Sequence, residues 1–500
     1  IGMATTIIAQ PQDFTPAYNE CKFIVNSTNV NKAGFRYIFE VYESGTATRI
    51  GYYKALPTYG TGYGEQDLSK LLSNMVSFDF NPTVTTFYDA ANSYYNYDVK
   101  IGEEYIFDLS YTASLVDNGG SVRITATHPF VVGDQVNITQ ADLGVANPGV
   151  EGLHTVTSIT GTTNFTINAL WSEVTDATIN GTVKYADNRK TVDLDIISTL
   201  DKYVFNGVQP WLEMPYWDET DYELDGATKS WLTDQPTTFN CTLGQDLWLN
   251  AKDVTTVVIN KRVYFENDNG DIFYKAIAGD DFIKGVAVGP NNYGSLTVVS
   301  GTAPLVKPAT LSYQVWYSDG AFNPVQSVKY KVTIDRRVLI SESHIVFLDR
   351  LGSWSSFAFQ LKSYEKLAIK RETYNKDVPG SVVDSQWQYG SYEQGNVNFN
   401  TQVSKTIDLN TNWMSESAGV YFQQLLTSPQ TYIKNVVYHV TEEGEPLYDE
   451  NGCILHVPES TEYVSCNVMN NSFDIQRERN KHLIRQQLQV RLSNNDMING

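Results

Sequence analysis

Val328-Lys329-Tyr330-Lys331-Val332-Thr333-Ile334-Asp335 alternates apolar and polar side chains along its whole length. Successive residues of a β-strand point to opposite faces, so this stretch predicts a strand with one buried and one wetted side. Leu311, Tyr313, Val315 and Tyr317 repeat the pattern just upstream, and Ser318-Asp319-Gly320 follows as a turn. Further back, Val263-Tyr264-Phe265 and Ile272-Phe273-Tyr274 flank Asn267-Asp268-Asn269-Gly270. That arrangement predicts a hairpin, because Asn-Gly supplies the positive φ angles of a tight turn. Tyr37 to Tyr42 and Tyr105 to Leu109 read as further strands.

Helical patterns are few. Leu68, Leu71, Leu72 and Met75 fall at i, i+3, i+4 and i+7, which predicts a short amphipathic helix over Asp67 to Met75. Ala418, Tyr421, Phe422 and Leu425 repeat that spacing, with Ser415 placed as N-cap and Ser428-Pro429 as the stop. The expected fold is therefore mainly β: a multi-domain protein of β-sandwich or barrel type, with a small inserted β module and two short amphipathic helices.

The chain has 500 residues, enough for about three domains at roughly 150 residues each. Hydrophobic residues make up 42% and charged ones 19%, so large cores can form and a disordered chain is excluded. With 57 acidic and 36 basic residues the net charge is −21, a field that repels polyanions, so neither nucleic acid nor an anionic membrane is an expected partner. No apolar run reaches the roughly 20 residues that cross a bilayer, and the first residues lack the basic and apolar regions of a signal peptide.

The composition turns to Thr, Val, Gly and Asn, with few charges, from Gly119 to Tyr185. This predicts a small β module, 119–185, inserted into an N-terminal β domain formed by 1–118 and 186–201. A loop-tip insertion of this kind adds little closure entropy. A middle β domain, 202–335, and a C-terminal β domain with one short helix, 336–500, complete the expected organisation.

Residues able to carry chemistry are sparse. The histidines, His128, His154, His344, His439, His456 and His482, have no metal-ligand spacing, and there is no nucleophile elbow, P-loop or dinucleotide fingerprint. Cys21, Cys241, Cys453 and Cys466 form no CxxC pair; Cys453 and Cys466 flank a hairpin and could face each other, or all four stay free. Glu266, Asp268 and Asp271 could approach a calcium ion, but their spacing is not that of an EF-hand loop and the hairpin turn accounts for every one of them. Gly279-Asp280-Asp281 reads as a surface turn, and Asp193 and Asp195 as a solvated strand face. No cofactor, metal or catalytic residue is expected, although carboxylates that meet only in space escape a reading of sequence.

Two stretches are candidate interaction surfaces. Trp211, Trp217, Trp231 and Trp248 crowd the segment 204–249, beside Asp218, Glu219, Asp221 and Asn240. Exposed, such rings stack on sugars; buried, they anchor a core or a subunit contact. Near the C-terminus, Arg477, Arg479, Lys481, His482 and Arg485 face one Glu478, a local reversal of sign in an acidic chain that suits a nucleic-acid patch, docking on an acidic neighbouring subunit or, most commonly, plain solvation.

The 119–185 stretch also carries a pattern: Val122-Arg123-Ile124-Thr125, His128-Pro129-Phe130, Val132-Gly133-Asp134-Gln135-Val136-Asn137-Ile138, Gly152-Leu153-His154-Thr155-Val156 and Asn164-Phe165-Thr166-Ile167. It resembles small β modules found in tail and fibre proteins of tailed bacteriophages. The framework resembles phage virion proteins too, at Pro16-Ala17-Tyr18-Asn19 with Phe23 to Thr28, at Trp413 with Leu425 to Pro429, and at Asn471 to Asn480. The resemblance implies a non-enzymatic structural subunit of a virion, in a tail, tail tip or baseplate ring, assembled in the host cytoplasm with copies of itself and other tail proteins. It carries over no catalytic residue. A glycan-binding surface adhesin or receptor-binding protein using 204–249 is the alternative, and a polysaccharide-cleaving enzyme a third.

Overall fold

A computed structural model describes residues 5–83, 85–106, 108–140, 150–171, 178–186, 190–252, 261–278, 282–318, 325–336, 342–377, 380–390, 392, 395–438, 458–470, 483–493 and 496–498. The protein is mainly β, with several sheets and, among the described residues, two α-helices. It divides into two compact units: Ile1–Thr15, Glu20–Ser73 and Asn96–Val204, and Pro16–Asn19, Asn74–Tyr95 and Phe205–Gly500.

In the first unit, Lys22–Ser27 alternates half-buried and buried side chains and pairs antiparallel with Thr5–Ala9 and Gly64–Asp67. Arg36–Glu43 lies between Arg49–Ala55 and Tyr94–Ile106 in a five-stranded sheet. Tyr37, Phe39 and Val41 are buried on it. The tight spot is Gly64, where a Cβ would stand 2.3 Å from the Tyr37 ring; only glycine admits that ring. The helix expected over Asp67 to Met75 is one turn, α1, Ser69–Leu72. Leu72 packs inward, but with four residues the turn barely passes helix nucleation.

The first unit also contains a closed six-stranded barrel. Around it run Ser121–Thr125, Asn164–Leu170, Gly152–Ile159, Gln135–Gln140, Thr178–Tyr185 and Asp108–Asn118, the last pairing back onto the first. Closure leaves no free edge. Val122, Ile124, Val136, Val156, Phe165 and Ile167 fill the interior as a separate apolar cluster. The alternating apolar residues between Val122 and Ile167 are thus the inward-facing ones.

In the second unit, the strand that opened the sequence reading is Tyr330–Asp335, with Tyr330, Val332 and Ile334 buried and Lys331 exposed. It lies between Ser312–Ser318, antiparallel, and Thr238–Thr242, parallel, in a six-stranded sheet. Arg262–Asn267 and Ile272–Ala276 form the expected hairpin of that sheet. Its turn departs from the expectation. Gly270 takes a positive φ of 81° and Asn269 does not, because Asn267 Oδ1 accepts the amides of Asn269 and Asp271 and makes a wider loop.

A second, eight-stranded sheet is built from the chain after Arg336, and α2, Glu416–Thr427, packs against the same core. Ser415 Oγ accepts the Ala418 amide at 3.3 Å and Ser428 closes the helix, as its sequence predicts. One apolar cluster runs from Leu224 to Val490 and joins both sheets, so residues either side of Arg336 share a core. Phe347 stacks on Phe357 at 5.7 Å between centroids, and Phe422 meets Phe357 edge-on at 5.2 Å. Cys21, Cys241 and Cys466 are buried thiols that form no disulfide among the described residues; Cys453 lies outside the described residues.

Candidate assembly surface

One exposed apolar surface lies where the sequence shows only an ordinary strand pattern. Tyr364–Asn375 is the edge strand of the eight-stranded sheet and pairs along its full length with Asn396–Asn410. At 12 residues it spans about 40 Å. Its neighbour is held by Gln487–Leu492 only from Thr406 to Asn410, and by Asp496–Ile498 from Thr401 to Val403. Nearly every residue of the edge strand is exposed, on both faces.

Parity explains what this ribbon displays. Ile407 and Leu409 belong to the core, and Ile407 pairs with Glu365. Residues of the same parity further out, Leu367, Ile369 and Val403, continue that face, with Ile369 opposite Val403. Leu367 and Ile369 are exposed. The face that is core at one end of the sheet is therefore exposed at the other, where Leu367 and Ile369 stand between the ion pair Lys405–Glu365 and Arg371.

A bulge at Phe399 shifts the register, and Tyr374 and Phe399 meet edge to face at 6.0 Å. A small hairpin, Ser381–Val383 with Gln386–Gln388, lies between the two strands in sequence and turns through Asp384 and Ser385, both at positive φ. Trp387, Tyr389 and Tyr392 are exposed there, Tyr392 at 86%. A two-stranded ribbon is marginally stable alone, and uncovered apolar surface of this extent marks an interaction site. The sequence signal was Leu367 and Ile369 between Lys366, Lys370 and Arg371. It reads as an ordinary strand, since nothing local says that no layer covers it.

The tryptophan segment divides. Trp231 is fully buried and meets Tyr317 edge-on at 6.4 Å, and Trp248 is core as well. Trp217 is buried between Tyr222, stacked at 4.8 Å, and Phe205 at 5.6 Å. These rings correct the expectation of a surface at Trp217 and Trp231: their area is used in packing. Trp211, 79% exposed, stands with Leu212 and Tyr216 on a short turn that ends in the 3₁₀ segment Met214–Tyr216. Of the basic run, Arg485 is exposed, whereas Arg477, Arg479, Lys481 and His482 lie outside the described residues.

The acidic candidates turn to separate partners. Asp271 binds Lys307 at 2.6 Å, Asp268 accepts the Leu311 amide at 2.7 Å, and Glu266 faces Lys329 at 3.7 Å. Lys307 and the Asn267 amide hold the Asp271 carboxyl below its usual range. Asp280, Asp281 and the side chains of Asp193 and Asp195 lie outside the described residues. His128 packs among Phe130 and Phe165, His154 Nδ1 meets Asn168 Oδ1 at 3.2 Å, and His344 joins Thr242 and Glu342.

Among the described residues, clefts open in the second unit. One of about 250 Å³ is lined by Phe239, Cys241, Phe357, Trp413 and Met414. Burial holds the Cys241 thiol well above its ordinary pKa, so it is a protonated, packing thiol and a poor nucleophile. Another, about 420 Å³, is lined by Tyr18, Val208, Leu348, Asp349 and Arg350. Arg350 Nε binds Asp234 at 2.8 Å and its amide binds Gln424 Oε1 at 3.0 Å.

No protein-family model matches this sequence, and no curated protein matches it either.

Proposed function

We propose that this chain is a non-enzymatic structural subunit of a bacteriophage virion, a tail, tail-tip or baseplate ring component that assembles with itself and with neighbouring tail proteins. The observation that carries the reading is the ribbon Tyr364–Asn375 with Asn396–Asn410, on which Tyr364, Leu367, Ile369, Tyr374 and Phe399 stay exposed among the described residues. A part that functions by being covered leaves such a surface open until its neighbour arrives. The virion setting rests on the resemblance of the barrel pattern and framework to tailed-phage proteins. Light scattering of the purified chain over a concentration series, followed by electron microscopy, tests it. Rings or tubes are expected; a strict monomer at every concentration moves the weight to a glycan-binding reading. That second reading has its own observation, Trp211 and Tyr216 exposed beside Asp218 and Glu219, and a screen of Trp fluorescence against oligosaccharides checks it.

A further inference from the structure

The ribbon has an apolar face and also a free edge. Tyr364–Asn375 has one strand neighbour among the described residues, Asn396–Asn410, so the backbone groups of its outer side have no ladder partner there. We propose that this edge pairs antiparallel with the same edge of a second copy of the chain, about a two-fold axis at Ile369. The inference rests on the self-assembling reading above and names one of its contacts, a closed dimer that rings or tubes would join through a second surface.

The register follows from the side chains. In an antiparallel pair, opposing residues point to the same face. Two-fold symmetry then requires one residue to sit opposite itself. Centring on Ile369 sets Ile369 against Ile369, Lys366 against Glu372 twice, Tyr364 against Tyr374 twice, and Leu367 against Arg371. All eleven residues from Tyr364 to Tyr374 take part, and no like charges meet. Centring on Ala368 opposes Glu365 to Arg371 but also Lys366 to Lys370. Centring on Lys370 opposes that lysine to itself, and centring on Leu367 shortens the overlap and loses every ion pair. Opposite charges across a sheet stabilise and like charges repel, so the charges select one register.

The groups already near these charges leave room for the pairing. Lys366 binds Asp408 of its own ribbon, and its ammonium has three donors. Glu372 sits 3.8 Å from Lys370 and accepts from Asn400 at 3.3 Å, which leaves acceptor capacity toward the edge. On the other face, Leu367, Ile369 and Val403 of both copies would merge into one apolar patch. The strand carries three cations against two anions in a chain of net charge −21, so here the copies meet without the repulsion of the whole.

Across an antiparallel pair, Cα atoms lie roughly 4.5–5.5 Å apart, inside the reach of a disulfide. Ile369→Cys, in the full chain under mild oxidation, is therefore expected to yield a covalent dimer on a non-reducing denaturing gel. Lys370→Cys, more exposed than position 369 but opposite Ala368, is expected to stay at the wild-type level. Glu372→Lys added to Ile369→Cys should abolish the bridge, and a further Lys366→Glu should restore it. Equal cross-linking at 369 and 370, or none at 369, overturns the pairing. Wild-type light scattering separates the two ideas: assembly without a bridge at 369 overturns this contact alone, while a monomer at every concentration overturns both.

Discussion

Lys434 Nζ lies 2.7 Å from Asp246 Oδ2, and both side chains are sealed from solvent. Asp246 also accepts from Tyr463 Oη and Asn291 Nδ2, each at 2.7 Å, and Lys434 donates to the Gly244 carbonyl at 2.7 Å. Lys434 and His344 are cross-strand partners. The pair ties Thr431–Tyr438 to the loop before Trp248–Lys252, within one core.

Replacing one member leaves the other charge buried and alone, which costs about 3–5 kcal/mol in comparable pairs. Lys434→Met is therefore expected to shift the urea midpoint of the wild type strongly downward. The double variant Lys434→Met with Asp246→Asn is expected to lose less than the sum of the two single changes, because no unpaired charge remains. Additive losses, measured by equilibrium unfolding, would show that the two side chains act independently.

Asp349 provides a pH dependence. Its Oδ1 accepts the amides of Leu351 and Ser353 at 3.0 and 2.8 Å, and Thr233 Oγ1 lies 2.6 Å from Oδ2. Burial, reinforced by the nearby negative Asp234, pushes its carboxyl up to about 7 from 3.8. Between those values the folded chain holds a proton that the unfolded chain has released. Stability therefore falls as pH rises from about 4 to about 7, by up to roughly 4 kcal/mol for a shift of this size. Asp349→Asn imitates the protonated acid and should flatten that slope. Asp271 and Asp408, lowered by Lys307 and Lys366, act with the opposite sign and lose their contribution as pH falls below the ordinary carboxylate range. Thermal midpoints of wild type and Asp349→Asn across pH 4 to 8 decide the point; parallel curves would sink it.

Those buried charges had no trace in the sequence, whereas much of the β framework did. Val328 to Asp335 and Tyr313 to Tyr317 alternate because one face of their sheet is core, so period-two patterning reports burial directly. The second helix was readable from its caps, since Ser415 and Ser428-Pro429 act locally. The first was over-read: Leu68 to Met75 has helical spacing, yet only Ser69–Leu72 is helical. The tryptophans misled because burial depends on what the fold brings against them, as Phe205 and Tyr222 do for Trp217. Leu367 and Ile369 failed for the converse reason, an apolar alternation with no layer to cover it.

His128 sits in the barrel with Phe130 stacked at 5.6 Å and Phe165 edge-on at 4.8 Å. Neither ring nitrogen has a hydrogen-bond partner among the described residues, and both are buried. A buried, unsatisfied polar group costs about 1–3 kcal/mol. His128→Phe keeps the ring and removes that penalty, so it is expected to raise the barrel's melting temperature by several degrees. A lower melting temperature would mean that His128 holds a polar role its surroundings do not explain.

The barrel also sets where the chain can be cut. Asp108–Asn118 pairs with Thr178–Tyr185 on one side and with Ser121–Thr125 on the other. Deleting 119–185 therefore removes both neighbours of an eleven-residue strand and leaves its backbone donors and acceptors unpaired. Excising 108–185 instead removes the closed barrel whole. Asp108 and Lys184 are register partners, so the two ends of the excision lie side by side and a short Gly-Ser link bridges them with little closure entropy. The 108–185 deletion is expected to unfold cooperatively, close to the wild-type midpoint of the remaining residues. The 119–185 deletion is expected to be less soluble and to bind a hydrophobic dye, since its stranded edge is a template for aggregation. Loss of cooperative unfolding in the 108–185 deletion would show that the rest of the chain needs the barrel to fold.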